Sequence, residues 1–221
     1  MTQRCNSMAH PVLVLGTGNR KKLSELRDLL DVVGIELKSL ADFPEAVTVE
    51  ETGDSFAANA VLKATLQARH LGQWVLAEDS GLAVDALQGA PGIYSARYSD
   101  PGATDERNNQ KLLSELATVP AAKRTAHYVC SAVLADPTGA VRASAEGRCR
   151  GRIRSEYAGN GGFGYDPLFE IVEYHRTFGE LAPQVKRILS HRARAVRQMI
   201  PTMLQLVDCN QWTLSGFEVK T

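Results

Sequence analysis

Cysteine is scarce: the 221-residue chain has four, at positions 5, 130, 149 and 209. No two stand close enough to form a metal knuckle or a redox pair, which argues against structural zinc and for a reducing compartment. No apolar run approaches the length of a bilayer span, so a membrane is not among the expected partners. Net charge is absent as well, with Lys+Arg and Asp+Glu both numbering 25, and bulk attraction to nucleic acid therefore has no source. Repeats, low-complexity tracts and long Pro/Gly-rich linkers are missing, so nothing divides the chain into separate units. The opening M-T-Q-R-C-N-S-M-A-H-P lacks the apolar core of a secretion signal, and residues 1–10 read as a disordered leader on a cytoplasmic protein.

Hydrophobic residues at 44% and charged residues at 23% sit near the globular average. This chain is long enough for one well-buried domain over residues 11–208, followed by a tail at 209–221 whose pattern extends to one short strand-like run. Residues 12–15 form a β-type run, 16–19 a turn, and Leu23, Leu26, Leu29 and Leu30 then recur at helical spacing. A second strand is expected at 35–40. Asp54 or Ser55 caps a helix whose apolar face is Ala57, Ala60, Val61, Ala64, Ala68 and Leu71. Thr104 caps another helix, 125–135 and 141–150 read as a hairpin, and Ser190 caps a last helix that Pro201 should kink. Mixed strands and helices with a long hairpin predict an α/β fold with a mixed, elongated sheet.

The densest chemistry lies at 77–98, A-E-D-S-G-L-A-V-D-A-L-Q-G-A-P-G-I-Y-S-A-R-Y. An apolar run, 74–77, reads as a buried strand with Glu78 and Asp79 at its end, meeting Ser80 and Gly81. Carboxylates there serve chemistry or cap a turn, and both readings stand for Asp79. In T-G-N-R-K-K at 17–22 a strand gives way to a helix whose free N–H groups and Lys22 suit a phosphate, although the Walker spacing is absent. Glu50 or Glu51 joining Asp79 would give Mg²⁺ the oxygen ligands it favours, leaving Lys63, which shares a helix face with Asn59, for phosphate oxygens. Four glycines around Phe163 and Tyr165 offer flat faces for a nucleobase, with Lys186, His191 and Arg192 as donors. A glycine-rich turn with buried rings explains the same composition. The arginines at 142–154 read as a solvated hairpin face.

In sequence order, T-G-N-R-K-K, E-E-T-G at 50, N-A-V-L-K-A at 59, E-D-S-G-L-A-V-D-A-L at 78, P-G-I-Y-S-A-R-Y at 91, G-G-F-G-Y-D-P-L-F at 161 and S-H-R at 190 resemble the inosine triphosphate pyrophosphatase family. The resemblance implies two lobes around a central cleft, a homodimer, and hydrolysis of noncanonical purine nucleoside triphosphates (ITP, dITP, XTP) to monophosphate and pyrophosphate. By position it makes Asp79 the proton acceptor and, with Glu50 or Glu51, the Mg²⁺ site. Thr17, Gly18, Asn19, Arg20, Lys21, Lys22, Lys63 and Ser80 would hold the triphosphate. Phe163, Gly164, Tyr165, Asp166, Lys186, His191 and Arg192 would read the base. Many members carry Asp at the position of Glu78. The rival readings are a related pyrophosphatase of pyrimidine or modified nucleotides, a binding module without turnover, and an RNA-binding protein.

Overall fold

A computed structural model describes residues 11–209, 211 and 212; the leader and most of the tail lie outside these residues. One seven-stranded mixed sheet runs in the order β2-β1-β3-β4-β5-β6-β7. Strands β1 (Val12–Leu15), β2 (Glu36–Ser39) and the start of β3 (Trp74–Val84) are parallel. From β3 onward every pairing is antiparallel, through β4 (Thr125–Ala135), β5 (Val141–Ile153), β6 (Phe169–Ile171) and β7 (Arg176–Thr177).

The three central strands have 11, 11 and 13 residues, and at about 3.3 Å per residue each spans both halves of the molecule. At one end α1 (Arg20–Leu30) and α5 (His191–Asp208) cover one face with Leu13, Leu15, Leu76, Met199 and Met203. Helix α2 (Phe56–Leu71) covers the other face there, laying Ala60, Ala64 and Ala68 on Val14, Val75 and Ala135. At the far end α3 (Asp105–Glu115) joins a separate cluster of Leu82, Val84, Leu112, Phe169 and Phe178, and α4 (Pro183–Leu189) leads into α5. Apolar packing on both faces at one end of the sheet and a separate cluster at the other end make two lobes, and the seam between them crosses β3 at residues 78–81.

Three expectations change. The acids do not end the strand: β3 runs unbroken through Glu78, Asp79, Ser80 and Gly81, paired with residues 129–132 of β4. Ion pairing on both faces compensates the poor strand propensity of these residues. The buried face of α2 is turned toward Asn59 and Gln67, leaving Ala57 and Val61 exposed. Helix α5, as its apolar stripe predicts, runs through Pro201 to Asp208. The core also reaches beyond residue 208, because Trp212 stacks on Trp74 at 4.4 Å and donates to the Val12 carbonyl.

Candidate active site

Strand alternation sends neighbouring side chains to opposite faces, and in β3 it separates the paired acids. Asp79 faces α2, where Asn59 Nδ2 donates at 3.2 Å and Lys63 Nζ at 3.0 Å. Glu78 and Ser80 face α5, where the buried Arg192 guanidinium lies 3.2 Å from Glu78 and donates to Ser80 Oγ at 3.0 Å. Lys22, from α1, completes the second cluster at 3.1 Å from Glu78.

The two acids titrate in opposite directions. Burial would raise Glu78, but Arg192 and then Lys22 and Lys63 hold its carboxyl well below the usual 4.5. Burial raises Asp79 above the usual 3.8 despite the pull of Lys63, with Glu51 adding to the rise. Glu78 is a fixed anion that anchors cations, and Asp79 is the more basic of the pair.

On the Asp79 side a cavity of about 370 Å³ is lined by Gly16, Thr17, Gly18, Asn19, Lys22, Glu51 and Lys63. Glu51 turns inward, binding Lys63 at 2.9 Å and Arg97 at 3.7 Å, whereas Glu50 is exposed. Glu51 is therefore the carboxylate that meets Asp79. The helix-start amides of Lys21 and Lys22 are not free as expected: the Asn19 side chain caps both, at 3.0 and 3.2 Å. Arg20 is exposed and makes no ion pair among the described residues. Lys21 reaches across the seam instead, 3.6 Å from Asp105 and 5.5 Å from the Phe163 ring centre.

The second cavity is lined by Ser80, Phe163, Gly164, Tyr165, Asp166, Lys186, His191 and Arg192, with Asn19 and Lys22 shared between the two. Asp166 accepts from the Phe163 amide at 2.8 Å and from Lys186 at 2.6 Å. Phe163 is the half-exposed ring, with Lys186 4.4 Å from its centre. Tyr165 belongs to the core, its hydroxyl donating to the Ser95 carbonyl at 2.8 Å, so only one of the two rings can serve as a free platform. His191 stacks on Tyr128 with its Nδ1 unpartnered among the described residues, and burial, reinforced by Arg192, pushes the imidazole well below 6.5.

The structure thus gathers most of the expected residues at one seam and leaves out Glu50 and Arg20. It adds Glu25, which pairs with Lys186 at 2.8 Å and with Arg192. Asp105 and Asn109 of α3 also belong, gripping the Gly164 peptide at its N–H and its carbonyl. Glu25 sits one turn beyond Lys21 and Lys22, a spacing that puts it on the same helix face; the α3 pair had no comparable signal.

The Ham1 family model matches residues 13–202. The chain belongs to the Ham1 family. A dITP/XTP pyrophosphatase of Rhodopirellula baltica is 58% identical over 198 residues, covering 90% of this chain and 95% of that protein. One of Desulforamulus reducens is 46% identical over 194 residues, 88% and 96% of the two chains. Among solved structures, a HAM1 protein from Coxiella burnetii superposes with a TM-score of 0.80 at 36% identity, covering 88% of this chain and 98% of that one. The Ham1 fold of this chain is the mixed sheet and two lobes described above.

Proposed function

We propose that this Ham1-family protein hydrolyses the noncanonical purine nucleoside triphosphates ITP, dITP and XTP to the monophosphate and pyrophosphate. The observation that carries this is the division of β3: a basic carboxylate with Lys63 and Glu51 on one face, and a buried donor set with a half-exposed ring on the other. A nucleotide laid across the strand would put its phosphates in the first cavity and its base in the second. The relatives named dITP/XTP pyrophosphatases support the same substrates.

The residues fit Mg²⁺. Lys63 Nζ lies 2.9 Å from Glu51 and 3.0 Å from Asp79, so a cation already bridges the two carboxylates. Two carboxylates, completed by water and phosphate oxygens, are an ordinary Mg²⁺ set. Bound there, the ion would offset charge on the phosphates. Asp79 takes the proton of the water that attacks the α-phosphorus, the bond from that phosphorus to the bridging oxygen breaks, and Lys22 and Lys63 stabilise the departing pyrophosphate. Lys186, Arg192 and the neutral His191 present donors to a 6-oxo purine, which adenine cannot match.

The concave sheet face beside α2, lined by Phe56, Ala83, Pro91, Ile93, Tyr94 and Val129, supports a homodimer in which a second copy covers it. No helix among the described residues is long and apolar enough to cross a membrane. The balanced charge and the unpaired cysteines among the described residues support a cytoplasmic enzyme without a nucleic-acid partner.

Pyrophosphate release from ITP, XTP, dITP, ATP, GTP and dTTP, with Mg²⁺ or EDTA, tests this reading. Metal-dependent release confined to the first three is expected; release from dTTP instead, or none from any, overturns it. Asp79→Asn should lower turnover by at least about 10²-fold while nucleotide still binds, because the general base is gone and the shape is kept.

A further inference from the structure

Asn59 is fully buried, and both of its polar atoms are engaged. Its Oδ1 accepts from the Gly53 amide at 2.8 Å, and its Nδ2 donates to Asp79 Oδ2 at 3.2 Å. One neutral side chain therefore joins the backbone of the acidic loop, two residues from Glu51, to the carboxylate at the centre of β3. The closeness depends on glycine: a Cβ at residue 53 would lie 2.7 Å from Asn59 Oδ1 and 2.7 Å from Ala58 Cβ. One turn along α2, Lys63 makes the same connection with charge, to Glu51 and Asp79.

The two bridges part company when an anion arrives. Lys63 carries three donors on a flexible stem, and phosphate oxygens compete with the carboxylates for its ammonium. Asn59 has no charge to be drawn away and no room to swing. As Lys63 turns to phosphate, Asp79 loses its only other side-chain donor among the described residues, and the Glu51 loop loses one of its charged ties.

We infer that Asn59 is a positioning residue that keeps the Asp79 carboxylate and the Glu51 loop in one register while Lys63 exchanges its carboxylate partners for phosphate. This rests on the reaction proposed for the same site.

The test uses Asn59→Ala and Asn59→Asp in the full chain. It reads kcat and KM for ITP, the thermal midpoint, and hydrogen exchange of the Gly53 amide in the nucleotide-free protein. Groups that orient catalytic or metal-binding side chains typically contribute 10- to 100-fold, so both variants should lose about that much in kcat. KM should stay within about threefold, since binding contacts are untouched. Protection of the Gly53 amide should be lost in Asn59→Ala and kept in Asn59→Asp, whose oxygen still accepts. If the alanine variant fails to fold, the near-isosteric aspartate carries the kinetic test. A folded Asn59→Asp with kcat within about twofold of the parent would overturn the inference, as would unchanged Gly53 exchange in Asn59→Ala. Parent protein that releases no pyrophosphate sinks the proposed reaction instead, and Gly53 exchange still decides whether Asn59 bridges loop and strand.

Discussion

Glu78 and Asp79 differ by one methylene and one position, yet the pleat gives them opposite work. Glu78 is surrounded by Arg192, Lys22 and Ser80 and stays charged as an anchor, while Asp79 meets one ammonium and one amide and is left the more basic. The letters E-D-S-G mark a site but cannot divide it, because the division depends on which helix covers each face. Glu25 is readable as a neighbour of Lys21 and Lys22 on one helix face, but its hold on Lys186 and Arg192 from α1 depends on the same covering of faces. Lys186 illustrates the consequence. It is paired with Asp166 at 2.6 Å and Glu25 at 2.8 Å in a nearly closed environment. Its removal takes the cation from the buried Asp166, while Glu25 keeps Arg192, and breaking a buried pair typically costs about 3–5 kcal/mol of stability. It also deletes a donor that penalises the wrong base. Lys186→Ala should therefore melt earlier and show a smaller ratio of kcat/KM for ITP over ATP; an unchanged ratio in the folded variant would count against its role in base reading.

At the scale of elements, helix starts were the most legible features. Ser55, Thr104 and Ser190 each cap a helix through the side-chain oxygen, as their placement before apolar periodicity suggested. The β4–β5 hairpin was equally plain, since its turn residues 136–139 separate two β-rich runs. The sequence pattern of β3 stops short of its observed end because acids, serine and glycine oppose strand propensity, and only the tertiary ion pairs that override it explain its length. The short β6, β7 and α4 gave no periodic signal to read. Packing of α5 on the hairpin raises a related point. Gly147 of β5 lies under the first turns of α5, where an added Cβ would meet the His191 carbonyl oxygen, Ala195 N at 2.5 Å and Arg194 Cβ at 3.0 Å. None of these neighbours is the loose end of a side chain. Gly147→Ala should then destabilise the fold by about 1–3 kcal/mol through overpacking. Because His191 and Arg192 open that helix, base discrimination should fall with it. A urea midpoint equal to the parent's would show that the helix can retreat without cost.

Across the whole molecule the seam between lobes is where the apolar packing of both lobes stops and a buried charged layer begins, and that layer ties stability to pH. His191 lies within it, neutral, stacked on Tyr128 and close to Arg192, Lys186, Lys22 and Glu78. Burial, then Arg192, keeps its folded pKa well below 6.5, the value it regains when the chain unfolds. Below that pH the unfolded chain takes a proton that the folded one refuses, so stability falls as pH falls through 6.5. Glu78 acts lower: its depressed carboxyl contributes stability that is present above 4.5 and lost only as pH drops further. Asp79 and Asp166, raised by burial, oppose the trend, since the folded state takes up their protons first as the pH falls. Replacing His191 isolates its share, because the carboxylates are common to both proteins. Between about pH 6.5 and pH 5 the parent should lose up to about 1.4 kcal/mol per pH unit more than His191→Gln, the worth of one proton. Urea unfolding across that range measures the difference, and parallel slopes for the two proteins would mean that His191 takes up its proton in the folded state over the same range as in the unfolded chain, so that burial does not hold the imidazole neutral there.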